Sequence, residues 1–181
     1  MKLYLVRHTK VNAQEGMCYG QLDLDVAQSF QTEKEIIIEN LKDIKAQRLF
    51  SSPLKRCSLL ANTISNLNLI IEYDSRLKEL NFGAWEGKMW SEIESTNEAK
   101  EWFKDFTRIS CPNGESYSEL LTRTRSFITD LQKDLTSKQV IIVCHSGIIR
   151  AFYTILNNIN PIDSFNLKVD YGQIFEFDLT I

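Results

Sequence analysis

The chain has 181 residues, 43% of them hydrophobic and 25% charged, with a formal net charge of −3. That length suits one domain, residues 1–181, with a real core. The charge balance excludes the broad positive field that nucleic acid or an anionic membrane surface would attract, so any anion site must be a local cluster. No apolar run reaches the roughly 20 residues of a membrane span, and the chain opens on a strand rather than a signal-peptide pattern. Cys18, Cys57, Cys111 and Cys144 lack C-x-x-C spacing and read as reduced, partly buried thiols of a cytoplasmic protein.

In chain order, "KLYLV" is an apolar run without alternation, the pattern of a strand buried on both faces. It runs straight into Arg7 and His8. "AQRLFSS" is a second candidate strand, followed by "SSPLKRCSLLANTISNL", read as a helix with a serine cap and Pro53 in its first turn. Leu54, Cys57, Leu60, Ala61, Ile64 and Leu67 give that helix one apolar stripe. "IIEYD" is a third strand. The segment from Trp85 to Cys111 places Trp85, Trp90, Trp102, Phe103 and Phe106 among charged residues, and reads as a helical, aromatic-rich insertion. Aromatic stripes are usually core, so these should pack on the sheet, with one or two facing a ligand.

"SYSELLTRTRSFITDLQKDL" opens with a capping box, Ser116 to Glu119, and should turn Leu120, Leu121, Phe127, Ile128, Leu131 and Leu135 inward. "QVIIV" is a strand of the first kind and ends near His145. "GIIRAFYTIL" continues as a helix. "QIFEFDL" alternates weakly and suits a sheet edge. Strands alternating with helices imply an α/β fold of three layers, helices on both sides of a mostly parallel sheet.

In such sheets ligands bind beyond the carboxyl ends of the strands. Arg7, His8, Arg56 and His145 all stand at such ends, and the chain has no histidines besides these two. Alone, each residue has a plain structural explanation. Together, two arginines and two imidazoles make a site for a dianion such as a phosphoryl group. Gly147 would let helix N-terminal amides approach the same anion. A rival reading takes "CHSGIIR" as the loop of a cysteine-dependent phosphatase, with Cys144 as nucleophile and Arg150 as clamp. Against it, Ile148 and Ile149 continue a helical stripe, and it leaves "VRHT" and "SSPLKR" unexplained.

"YLVRHT", "FSSPLKRC", "LKELNFGAWEG", "NGES" and "VCHSGIIR", in this order, resemble the histidine phosphatase superfamily, the fold of cofactor-dependent phosphoglycerate mutases, over nearly the whole chain. "GMCYGQLD" resembles more narrowly its α-ribazole phosphatase branch. The resemblance implies a metal-independent phosphatase, without cofactor, acting on a small-molecule phosphate ester and not on nucleic acid or membrane. His8 would be the nucleophile, and Arg7, Arg56 and His145 would clamp the phosphoryl oxygens. Glu79 would be the general acid, then the base for the hydrolytic water. Gly20 and Ser146 would line the substrate site.

Thr9 and Ser146 stand where the family commonly has glycine. Asn12 or Gln14 takes the place of the family asparagine, and the sequence leaves open which touches phosphate. Alternatives are a phosphatase or mutase of sugar phosphates or phosphoglycerate, and a non-catalytic phosphate-binding module. The lone Lys10 between His8 and Lys34 leans away from a bisphosphorylated ligand. The oligomeric state is left open.

Overall fold

The two unalternating apolar runs become neighbouring central strands of one sheet. In the computed structural model, which describes residues 1–180, β1 (Lys2–Arg7) pairs in parallel with β4 (Gln139–Cys144). β2 (Arg48–Ser51) lies on the far side of β4, and β3 (Ile71–Tyr73) beside β2, both in parallel. The "QIFEFDL" segment supplies β5 (Ile174–Asp178), antiparallel to β1 at the edge, giving the order β3-β2-β4-β1-β5.

The lack of alternation has a direct cause, since both faces of β1 and β4 are covered. Leu3 and Leu5 join Val140 and Ile142 under α5 (Tyr117–Leu131) and α6 (Ser146–Asn157). Tyr4 and Val6 join Ile141 and Val143 under α1 (Phe30–Leu41) and α2 (Lys55–Ile64). Each such aliphatic side chain contributes on the order of 1.5–3 kcal/mol by leaving water.

Two expectations change, and one helix was not expected. α2 starts at Lys55, so Pro53 lies before it, and no serine caps it. Ser52 Oγ instead meets His145 Nε2 at 2.8 Å, and Asp23 Oδ1 accepts the Lys55 N–H at 2.6 Å, a cap borrowed from another loop. α5 has its capping box, Ser116 with Glu119, but it ends at Leu131, and Leu135 is 78% exposed instead of turned inward. Asp134 takes the N–H groups of Thr136 and Ser137, closing a turn where the helical stripe would have continued. Finally, α1 has no counterpart among the expected elements. Its three consecutive isoleucines, 36–38, blur the helical period, with Ile37 buried and Ile36 58% exposed.

The aromatic segment forms two short helices, α3 (Trp90–Ile93) and α4 (Asn97–Lys104). Trp85, Ile93, Ala99 and Trp102 join the same buried cluster as α5 and α6. Packing is thus the role of most of these aromatics. Phe103 is 49% exposed.

Candidate active site

Because β1, β4 and β2 are adjacent and parallel, their carboxyl ends deliver three polar segments to one rim. The ladder continues past the strands. His8 N–H donates to the Cys144 carbonyl at 3.0 Å and Ser52 N–H to that of Val143 at 2.9 Å. The His8 side chain is fully buried, and its Nδ1 lies 2.7 Å from the Thr9 carbonyl oxygen. A carbonyl only accepts, so Nδ1 carries the proton and Nε2 the lone pair. Burial holds this imidazole well below its ordinary pKa; Arg56 and Arg7 add to the effect and the Thr9 carbonyl opposes it. The result is an imidazole held neutral beside two guanidiniums.

His145 lies with its ring centroid 5.0 Å from that of His8. Arg56 Nε donates to its Nδ1 at 3.3 Å, which assigns the proton to Nε2, the atom facing Ser52 Oγ. Burial, then Arg56, holds this imidazole well below its ordinary pKa as well. Arg56 is fully buried, and its Nη1 and Nη2 donate to the carbonyls of Leu22 and Gly20 at 2.7 and 2.6 Å. Arg7 Nη1 donates to the Val169 carbonyl at 2.6 Å, while its buried Nε has no protein partner. Arg7 lies 3.8 Å from the Tyr171 ring, and the Tyr171 and Tyr19 hydroxyls meet at 2.8 Å. Fixed backbone carbonyls aim both guanidiniums, leaving further N–H donors for an anion.

Glu79 approaches from the loop after β3. Its carboxylate accepts the Gly147 N–H, 3.1 Å from each oxygen, the Ser146 hydroxyl at 3.2 Å and its neighbour Leu80 N–H at 2.9 Å. This corrects one expectation. The Gly147 amide at the start of α6 holds Glu79 rather than standing free for phosphate. A Cβ at Gly147 would lie 2.2 Å from Glu79 Oε1, so the glycine makes room for the carboxylate.

Beside Glu79 opens a cavity of about 200 Å³, with Gly20, Ser146 and Gly147 in its wall. Met17, Leu80, Phe82, Trp90, Tyr117 and Phe165 make its lining largely apolar and aromatic. Arg150 also borders it, with Nη2 donating to the Leu167 carbonyl at 3.2 Å and the guanidinium 5.3 Å from the Phe165 ring. Gly20 (φ +32°) leaves no room for a Cβ, which would meet Glu86 Oε1 at 2.2 Å.

The structure therefore brings together Arg7, His8, Gly20, Arg56, Glu79, His145 and Ser146. Asn12 and Gln14 are exposed on the loop after β1, where Asn12 N–H donates to the Asp25 carbonyl at 2.8 Å. Sequence reasoning missed Ser52, Tyr19 and Tyr171. Ser52 sits in the quoted "FSSPLKRC", but nothing local marks Tyr171. The thiolate alternative has no geometry to support it: Cys144 is fully buried as the last residue of β4, and burial pushes its thiol well above the ordinary range. Ile148 and Ile149 are buried in α6.

A neutral imidazole set among guanidiniums is what a phosphoryl acceptor requires. The chain belongs to the histidine phosphatase superfamily (branch 1), whose family model matches residues 3–180. It is a phosphatase of that superfamily. The protein named "Putative phosphoserine phosphatase 2" of Hydrogenobacter thermophilus is 31% identical, over 98% of this chain and 89% of its own. The metal-independent phosphoserine phosphatase of Arabidopsis thaliana is 31% identical, over 84% of this chain and 67% of its own. The crystal structure of the α-ribazole phosphatase from Shigella flexneri superposes with a TM-score of 0.91 at 21% identity, covering 98% of this chain and 90% of that one. At that identity the last likeness speaks for the fold.

Proposed function

We propose that the chain, acting as one domain in the cytoplasm, hydrolyses small phosphomonoesters through a phosphohistidine on His8. The observation that carries this reading is the His8 ring itself, whose Nδ1 is tied to the Thr9 carbonyl at 2.7 Å so that Nε2 offers a lone pair. Nε2 attacks phosphorus as the ester P–O bond breaks, and Arg7 and Arg56 take the charge spreading over the non-bridging oxygens. Both nitrogens of His145 already have partners, Arg56 and Ser52, so a contact with the phosphoryl group exchanges one of them. Without that exchange its role is to orient Arg56. Glu79 gives its proton to the leaving oxygen, then takes one from the water that cleaves the phosphohistidine.

Within this class we infer α-ribazole phosphate as the substrate. The aromatic, largely apolar cavity beside Glu79 suits a leaving group with a flat base, and "GMCYGQLD" supplies Tyr19 and Gly20 at its edge. Phosphoserine is the second reading, favoured by 31% identity over nearly the whole chain to a relative so named. A phosphate-release panel of α-ribazole phosphate, phosphoserine, sugar phosphates and phosphoglycerates separates them by kcat/KM. Highest kcat/KM on α-ribazole phosphate supports the first reading, and highest on phosphoserine replaces it. No turnover of any member, nor of p-nitrophenyl phosphate, removes the enzymatic reading.

A further inference from the structure

The Glu79 carboxylate has its own partners, but its backbone lies outside the sheet, in the stretch between the short 3-10 helices Ser75–Leu77 and Gly83–Trp85. Arg123, on α5, reaches that segment with every donor it has. Its Nη1 donates to the carbonyls of Arg76 and Lys78 at 2.6 and 2.7 Å, and its Nη2 to that of Glu79 at 2.9 Å. The remaining two N–H groups, on Nε and Nη2, form a fork with both oxygens of Glu115, at 3.1 and 2.6 Å. Glu115 Oε1 also accepts the Asn81 N–H at 2.9 Å, so the pair grips the loop on both sides of Glu79. Gln21 Nε2 adds a second bond to the Glu79 carbonyl, at 3.0 Å.

Five donors thus meet five acceptors, in a pair only 19% and 16% exposed. An ion pair needed for stability alone would not have to spend three of its donors on the carbonyls of Arg76, Lys78 and Glu79, all within one short segment. In so enclosed a pair the cost of desolvating both charges offsets much of their attraction, so the pairing is weak evidence of a purely stabilising role. Proton transfer to a leaving oxygen, by contrast, is sensitive to donor position, and a displacement of about 1 Å costs on the order of 10²-fold in rate.

We propose that Arg123 and Glu115 are positioning residues that set the Glu79 carboxylate at the leaving oxygen, an inference resting on the reading of Glu79 as proton donor. Lysine has three donors and no planar fork, so Arg123→Lys keeps the charge and cannot hold the three carbonyls and Glu115 together. The test is the burst rate of His8 phosphorylation by β-glycerophosphate, an alkyl ester that needs its leaving oxygen protonated, against p-nitrophenyl phosphate, which needs little help. Arg123→Lys should slow the first on the order of 10²-fold and the second only a few-fold, and should lower kcat more than it raises KM. Should Arg123→Lys fail to fold by circular dichroism, Glu115→Gln, which keeps an acceptor for Asn81 and loses the fork's charge, carries the same measurement.

Equal loss with both esters in the folded variant, or no loss with either, would overturn the positioning role. Glu79→Gln run alongside separates the two ideas. If it discriminates between the esters and Arg123→Lys does not, only the positioning proposal falls. If Glu79→Gln itself shows no discrimination, the proton-donor reading falls and takes the proposal with it.

Discussion

Glycine at position 147 leaves a space that the Glu79 carboxylate fills, and its amide then binds both carboxylate oxygens at 3.1 Å. Alanine there would suit the first turn of α6 better by intrinsic propensity, roughly 1 kcal/mol. Its methyl would nevertheless evict a flexible side-chain tip rather than backbone. Gly147→Ala should therefore fold with unchanged or raised stability, yet turn over alkyl phosphates about 10- to 10²-fold more slowly, with p-nitrophenyl phosphate much less affected. Unaltered alkyl-ester kinetics would mean that the carboxylate need not sit where the structure has it. Arg7, His8, Arg56 and His145 were legible in the sequence because each stands at or shortly after the end of a buried strand, a signal carried by a few adjacent residues. Tyr171, whose partner hydroxyl on Tyr19 is 152 residues away in the chain, and Arg123, which meets Lys78 from 45 residues away, had no such signal. What marks them is a fold-dependent meeting, invisible to any local pattern.

At the scale of elements, the strands were readable because burial on both faces leaves an unbroken apolar run. Helix ends were less so. α2 takes its cap from Asp23, 32 residues before Lys55, while Ser52 Oγ meets His145 at 2.8 Å and the Leu54 N–H at 3.4 Å. The same loop carries the Gly20 and Leu22 carbonyls that aim Arg56. Asp23→Ala should thus cost about 1 kcal/mol, seen as a lower urea midpoint at unchanged slope, and should also raise KM for phosphate esters. A stability loss with unchanged KM would show that the cap and the Arg56 contacts are independent. α1 escaped notice for the opposite reason: Ile36 to Ile38 in a row carry no helical period, and only the covering of β1 and β4 by this helix explains the burial of Ile37 and Leu41. Leu135 misled because its spacing continues a stripe that the Asp134 turn ends.

For the whole molecule, two imidazoles enclosed in neutral form make stability depend on pH. Both native pKa values are lowered from 6.5, whereas the unfolded chain protonates near its ordinary value. The unfolded state therefore binds more protons below about pH 6.5, and stability falls as pH drops beneath it, by up to about 1.4 kcal/mol per pH unit for each histidine. The carboxylates of Asp74, Asp130 and Asp134, held low by their hydrogen-bond partners, are ionised throughout this window. Urea unfolding should show a clear loss of stability from pH 7.5 to 5.5, shallower in His8→Gln; a flat profile would place a proton on the native imidazoles. The central claim, that His8 and not a cysteine carries the phosphoryl group, is tested by rapid quench with a radiolabelled phosphomonoester followed by peptide mapping. The account predicts alkali-stable, acid-labile label on the peptide holding His8, absent in His8→Asn and retained with near-normal turnover in Cys144→Ala. Label on the Cys144 peptide, or undiminished turnover in His8→Asn, would contradict it.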